Sequence, residues 1–480
     1  MERKSILFSL LYKSIERFSV KGAGLIIGIV LARLLLPEDF GQIAIITVFS
    51  NLSNTIIQTG FNTALVQKKE VNESDYSTAF YVTAILSVVI TGIICFTAPT
   101  IAGFYEDPGL INPIRVYSCS LFFGAFNSVQ IAKIEREMRF KQLMIGSLMA
   151  TVISGTLGIV MAYNNCGIWA LVVYGIANTV FSCVAMLPIA QWFPRLLFSV
   201  KRAKEMFSFG WRMLVSSILC SLYNDLRSLV IGKCYSASEL GYYNRGQQYP
   251  AVVSTTVEST IQAVFFPAMS RLQSNKDEVC KMVKRSISIG LFVIAPMLFG
   301  LAAVSENFVI TILSPKWLPC VVYMQIICLA EIKFSFTTPC LVAIKSLGRS
   351  DIYMKLEVVR RVIMILILAI TVLLFDSVFA VAISYLICSW GDVLIVSIPI
   401  KHLLGYSFVD QIKGNYKTLI VSLIMAFVVY FVGFLQINTV LLLCIQIVIG
   451  VCLYVLLCYL LKVESLDYFK SFFRKREEKS

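Results

Sequence analysis

The sequence predicts an all-α, polytopic membrane protein of about fourteen transmembrane helices, arranged as two parallel six-helix lobes plus two C-terminal helices. Three observations predict it. The 480 residues are 58% hydrophobic and only 15% charged, with a mean hydropathy of +0.80, whereas a soluble domain is about 45–50% apolar and about 25% charged. The basic residues collect in alternate breaks between apolar runs. One short stretch, VLARLLLPEDFG at 30–41, returns as VIGKCYSASELG at 230–241.

The apolar excess needs a bilayer as its solvent. The start, MERKSILFSLLYKSIER, has no small-residue cleavage site and too many charges for a secretory signal. A net charge of +14 would suggest nucleic acid in a soluble protein. Here the bases sit in short loops, so topology explains them and no nucleic-acid partner is expected. The fourteen Cys occur without a C-x-x-C pair, and His402 is the sole His. Metal and disulfide frameworks are therefore poor readings, and the Cys read as small apolar core residues.

A hydrocarbon core of about 30 Å takes roughly 20 residues of apolar helix. Such segments fall at about 14–36, 41–66, 78–103, 112–132, 144–163, 168–190 and 209–232. They continue at about 248–270, 286–313, 318–344, 353–375, 377–399, 417–435 and 437–461. Breaks such as YEDPGLINP, YNNCG and LSPKWLP separate them. The first, seventh and eighth are the most polar. With the N-terminus inside, most of the 42 Lys and Arg fall in cytoplasmic segments and few in outer loops. The positive-inside rule then puts both termini in the cytoplasm. All loops are short, so the activity lies within the membrane.

The two copies of the repeated stretch close the outer loops of the first and seventh spans. Basic loops AKIEREMRFKQ and IKSLGRSDIYMK follow the fourth span of each half, and FPRLLFSVKRAKEMFSFG, 193–210, divides the halves. Six spans is an even number, so both halves enter the membrane in the same orientation, as parallel repeats. The expected organisation is an N-lobe over 1–206, a C-lobe over 207–400, and helices 13 and 14 with a basic tail over 401–480. Two such lobes can rock about a central site and open it to either side.

Ionisable side chains deep in a membrane are costly unless paired or wet. Lys21 in the first span and Arg212, Asp225 and Arg227 in the seventh are candidates for a wet, anion-binding cavity; Asp225 and Arg227 read equally as structural partners of neighbouring helices. Glu258 and Glu331 are candidates for carrying a coupling ion, although Glu331-x-Lys333 is also the spacing of an interhelical ion pair. Arg17, Arg33, Glu357, Arg360 and Arg361 lie near predicted ends and are expected to snorkel to headgroups. Gly22, Gly24 and Gly28 are expected to admit a closely packed helix, and the tail FKSFFRKREEKS to lie on the inner leaflet. No Walker loop, Ser-His-Asp set or metal cluster is legible.

At LARLLLPEDFGQIAI, GFNTALVQKKEVNESDYSTAFYV and ELGYYNRGQQYP the chain resembles the Wzx-type polysaccharide flippases. These form the lipopolysaccharide and O-antigen branch of the multidrug/oligosaccharidyl-lipid/polysaccharide exporter superfamily. The resemblance spans about residues 10–460, with Pro37 to Gly41 and Gly60 to Gln67 the most distinctive stretches. It implies a bacterial inner-membrane transporter without cofactor or enzymatic step. It implies alternating access, which carries an oligosaccharide on undecaprenyl diphosphate from the cytoplasmic to the periplasmic leaflet. It further implies basic residues against the diphosphate, with Lys21 and Arg212 the nearest matches. H+ or Na+ as coupling ion, contact with membrane lipids and association with the polysaccharide polymerase machinery are likewise implied. A cation-coupled drug antiporter and a lipid II flippase of the same superfamily are the rival readings. An O-antigen polymerase would need a long outer loop that the sequence lacks.

Overall fold

The computed structural model describes residues 19–68 and 71–463. Arg17, Lys69 and the basic tail 469–480 lie outside the described residues. Among the described residues the chain is helical, with no strand. It divides into two compact units, 1–241 and 242–480.

In the first unit, α1 (residues 19–34), α2 (Pro37–Gln67), α3 (Glu73–Phe104), α4 (Ile111–Ser118) and α5 (Ser120–Arg136) are followed by α6 (Phe140–Tyr163), α7 (Ile168–Ala190) and α8 (Val200–Cys234). In α9 (Ala237–Arg271) the first turn belongs to this unit and the rest to the second. The second unit continues with α10 (Lys276–Phe308), α11 (Cys320–Glu331), α12 (Phe334–Ser346), α13 (Ser350–Leu374), α14 (Val378–Leu404), α15 (Phe408–Val432) and α16 (Thr439–Leu460).

Among the described residues ten helices are long and apolar enough to cross a membrane, with α11 and α12 together forming one of them. The other segments expected as spans have identifiable reasons to fall short. Only sixteen residues of α1 are described. The span at 112–132 is split at Cys119 into α4 and α5. α9 carries Glu239, Arg245 and Glu258, and α13 opens with five charges between Asp351 and Arg361.

Each unit buries side chains on one face of its helices and leaves apolar side chains outward, as expected where lipid is the solvent. The first unit is centred on Phe61, Tyr76, Val129, Met186 and Trp192. Its start at α3 is fixed by a capping box: Asp75 accepts from the Asn72 backbone at 2.9 Å. The wholly buried Asp75 carboxylate also takes Lys68 at 2.8 Å and Arg202 at 3.0 Å, so the segment leading into α8 is tied to the start of α3. In the second unit α15 and α16 pack on α10 through polar contacts. Ser288 meets Asn415 at 2.7 Å, Asn307 donates to Gln446 at 3.1 Å, and Tyr454 donates to the Phe292 carbonyl at 2.9 Å.

Two packing expectations change. Gly22 faces open space among the described residues, and a Cβ on Gly24 would only reach the Tyr174 hydroxyl at 4.0 Å; neither of these two glycines marks a close crossing there. Cys183, Cys320, Cys328, Cys340, Cys388 and Cys458 are buried, but Cys119, Cys234, Cys444 and Cys452 are exposed. An exposed thiol on a spanning helix meets lipid, which accepts it as readily as a protein core does.

Candidate functional site

The two copies of the repeated stretch meet. α2 and α9 begin at corresponding places, Pro37 and Ala237. A Cβ on Gly41 would lie 1.7 Å from the Ala237 carbonyl oxygen, and a Cβ on Gly241 would lie 2.1 Å from the Pro37 carbonyl oxygen, where ordinary contact begins near 3.4 Å. Position 41 sits on 237 and position 241 sits on 37, so the two first turns cross with approximate two-fold symmetry. Only glycine fits at either crossing point. The stretch is written twice because its copies are each other's packing partner.

A third element binds both copies. Past the end of α3, Asp107 accepts from Gln42 of α2 at 2.7 Å, and Glu106 pairs with Lys233 of α8 at 2.8 Å. Lys233 holds the Glu106 carboxyl below its ordinary value, by hydrogen bond and by charge. Glu106 has φ +57°, a left-handed backbone that a non-glycine residue adopts at a cost. Beneath this bridge is an apolar cavity of about 510 Å³, walled by Phe49, Ile101, Phe104, Leu229 and Val230.

The second unit holds a connected set of intramembrane charges. The span Cys320–Ser346 is the most buried of the ten, and its regular hydrogen bonding breaks in the middle, at Ile332 and Lys333, which keep right-handed helical φ and ψ while the bonds there span three residues. Glu331 ends α11 and is only 3% exposed. Its carboxylate oxygens take the Tyr385 hydroxyl at 2.6 Å and the Ser254 hydroxyl. Lys333, at the break, lies 4.8 Å over the Tyr385 ring and 3.6 Å from Asp392. Asp392 also takes Arg360 at 3.1 Å; Arg360 and Arg361 both pair with Glu357, at 2.9 and 3.0 Å.

Glu258 lies one turn beyond Ser254 on α9, holds Gln262 at 3.1 Å, and is within electrostatic reach of Glu331 and Lys333. By the same reach Lys345 also faces Glu258, so the set contains four acids, Glu258, Glu331, Glu357 and Asp392, and four bases, Lys333, Lys345, Arg360 and Arg361.

The sequence-derived candidates fall into two groups. Glu258 and Glu331 come within electrostatic reach of each other in the second unit. Lys21, exposed on α1, and Arg212, Asp225 and Arg227, all on α8, belong to the first unit. Asp225 is half-buried and Arg227 is buried, while the Arg212 side chain lies outside the described residues. Glu357, Arg360 and Arg361, expected to snorkel, instead point to one another and to Asp392. Carboxylates within reach outcompete distant headgroups as partners.

Sequence reasoning missed Tyr385, which joins the acid to the base. A signal existed: Tyr385, Ser389 and Asp392 recur at helical spacing on one face of α14. It also missed Arg245, placed in an outer loop by the span count. Arg245 lies within α9, nearly fully buried, donating to Gln248 at 2.6 Å and stacked 5.3 Å over Trp317.

A family model described as "Polysaccharide biosynthesis protein" matches residues 30–322. The succinoglycan biosynthesis transport protein ExoT of Rhizobium meliloti (strain 1021) is 23% identical over 289 residues, which are 60% of this chain and 58% of ExoT. The lipopolysaccharide biosynthesis protein WzxC of Escherichia coli (strain K12) is 23% identical over 353 residues, 72% of this chain and 71% of WzxC. The teichuronic acid biosynthesis protein TuaB of Bacillus subtilis (strain 168) is matched over 63% of its length. The chain thus spans about three fifths of ExoT and TuaB. Among solved structures, the lipid II flippase MurJ in an inward closed conformation superposes with a TM-score of 0.78 at 14% identity, covering 95% of this chain and 100% of that one. An inward-facing multidrug resistance transporter of the MATE family gives 0.59 at 13% identity, over 82% and 98%. These likenesses show the fold.

Proposed function

The chain belongs to the polysaccharide biosynthesis protein family, and we propose that it is a flippase for lipid-linked oligosaccharide. Its substrate is a repeat unit on undecaprenyl diphosphate, moved from the cytoplasmic to the periplasmic leaflet of a bacterial inner membrane. Membership over residues 30–322 is the observation that carries this reading. ExoT and WzxC are named for transport and lipopolysaccharide biosynthesis, which supports the substrate class.

The mechanism is alternating access between two six-helix lobes, 1–206 and 207–400, with 401–480 supplying two further helices and a cytoplasmic tail. Both termini are cytoplasmic, on the asymmetry of the basic loops. Lys21 and Arg212 meet the diphosphate. Asp225 and Arg227 complete a polar lining, in which a guanidinium suits phosphate oxygens. Glu258 and Glu331 carry the coupling ion, H+ or Na+. The buried setting of Glu331, between the Tyr385 and Ser254 hydroxyls, supports that role. The product, delivered to the outer leaflet, would be handed to a polysaccharide polymerase.

A second reading, transport of lipid II, is favoured by one observation: the fold match to a lipid II flippase covers nearly the whole chain. One experiment separates the two. Deleting the gene in its source bacterium should make cytoplasm-facing lipid-linked oligosaccharide accumulate and surface polysaccharide disappear, with normal cell-wall synthesis. Accumulation of lipid II with intact surface polysaccharide would overturn the flippase reading in favour of its rival.

A further inference from the structure

The segment between α7 and α8 is not a loose tether. It is pinned to the first turns of α3 at four points. Trp192 is buried against Tyr76 and Phe80, and its indole N–H donates to Glu73 at 3.1 Å. The Arg195 backbone N–H donates to Ser77 at 3.1 Å, and that of Ser199 to Thr78 at 3.2 Å. Arg202 completes the set on Asp75 at 3.0 Å. Ser77, Thr78 and Asp75 are wholly buried, so these polar side chains are committed to the segment rather than to solvent.

Between the pins the segment turns apolar side chains away from the protein. Leu196 is 94% exposed, and Phe193, Phe198 and Val200 are more than half exposed. Interleaved with them are Arg195, Lys201 and Lys204, all exposed, against a single acid, Glu205. On the first turns of α8, Lys201, Lys204, Glu205 and Ser208 wall a recess of about 400 Å³. Meanwhile Met206 faces inward to the core of the first unit. The segment lies level with the ends of two membrane-crossing helices, the start of α3 and the end of α7.

Water does not suit such a face. Exposed large apolar side chains cost free energy in water, whereas at a bilayer surface they enter the acyl region while neighbouring bases meet phosphates. The charge complement of three exposed bases to one acid fits an anionic surface rather than a zwitterionic one. Pinning at four points pre-sets this face, so little conformational freedom is lost on docking.

We infer that residues 193–208 form an in-plane anchor that binds anionic phospholipid, with Phe193, Leu196, Phe198 and Val200 among the acyl chains and Lys201 and Lys204 holding the lipid phosphate in the recess beside Ser208. The anchor adds a lipid contact to the protein contacts that already hold the start of α8. This inference needs only a chain that spans the membrane, so it stands or falls separately from the flippase reading.

The test uses the full chain in phosphatidylcholine vesicles, with Leu196→Trp as a reporter whose fluorescence is read as a difference from the parent chain. A small fraction of brominated phosphatidylglycerol or brominated phosphatidylethanolamine serves as quencher. The anchor predicts quenching by both, and at equal fraction a stronger effect from phosphatidylglycerol. Lys201→Gln with Lys204→Gln in the reporter background should reduce that preference roughly tenfold or more while leaving quenching by phosphatidylethanolamine in place. Absence of quenching by either lipid would mean that another surface, such as a second copy, covers the segment, and would overturn the inference. Equal quenching by both lipids would overturn the headgroup site. So would loss of the preference when inorganic phosphate is added at constant ionic strength, which would mark a site for soluble anions.

Discussion

Gly41→Ala should open the crossing between the first turns of α2 and α9. The introduced methyl carbon would lie 1.7 Å from the Ala237 carbonyl oxygen, against an ordinary contact of at least 3.4 Å. The obstructing atom is backbone at the start of a helix, so no rotamer change removes it, and the turns must part by about 1.7 Å. Alanine is the better helix former by about 1 kcal/mol, which works against the effect. Overpacking a close contact costs about 1–3 kcal/mol, and a backbone clash belongs at the upper end, so the clash wins. A bias of about 1–3 kcal/mol against the crossed state shifts a conformational equilibrium about 5- to 150-fold. Spin labels at positions 38 and 238, in a chain whose fourteen cysteines are replaced, would report the separation. Gly41→Ala should move the distance distribution to longer values, and Gly241→Ala, with its 2.1 Å approach to Pro37, should do the same. The double variant should add little beyond either single one, because both methyls wedge one crossing. An unchanged distribution in both single variants would refute the packing argument.

Three further predictions follow from particular contacts. Asp392→Asn leaves Lys333 and Arg360 without their shared carboxylate in a mostly buried setting, a loss of about 3–5 kcal/mol when a buried pair is broken. Its thermal unfolding temperature should fall clearly, and Lys333→Met in the same chain should recover much of the fall; a single variant as stable as the parent would contradict the network. Gln446→Leu removes the bonds to Asn307 and to the Val429 carbonyl and should cost about 0.6–2 kcal/mol, measured by the same unfolding assay; it should not alter the label distance across the α2–α9 crossing. The Glu106–Lys233 bridge depends on an ionised carboxyl whose pKa lies below the ordinary 4.5. A depressed pKa makes the bridge fully present above that value and lost only as pH falls through the lower one. Transport assayed in vesicles from pH 8 to pH 5 should therefore show no inflection due to this pair; one that vanishes in Glu106→Gln would count against the bridge.

The spanning helices were legible because bilayer thickness and hydropathy together leave few choices. Gly41 and Gly241 were visible as a repeat, but their contact was not, since periodicity says which residues correspond and not which ones touch. α4 and α5 show the limit of a hydropathy window: the run over 112–132 is apolar enough, yet the helix restarts at Cys119, where no glycine or proline marks the break. The linker's packing was not legible as a fixed element. Two of its four pins are backbone N–H groups, of Arg195 and Ser199, donating to Ser77 and Thr78, and backbone donors leave no trace in side-chain composition.

The charged residues of the second unit show why position along a helix is a poor guide to the fate of a charge. Arg360 and Arg361 lie near the start of α13, close enough to the surface to suggest snorkelling. A long side chain near a helix end has two outlets, a headgroup or an intramembrane carboxylate. The second prevails here because Glu357 is one turn away on the same helix and Asp392 faces α13 from α14. The choice rests on which helix is the neighbour, a tertiary fact, so hydropathy could list the charged residues but not pair them. The same logic gives Glu331 the hydroxyl of the uncharged Ser254, one turn before Glu258 on α9. Replacing Ser254 by alanine would remove that bond while keeping every charge in place. Ser254→Ala should alter the ion dependence of transport and leave the fold intact; unchanged ion dependence would remove this bond from the coupling site.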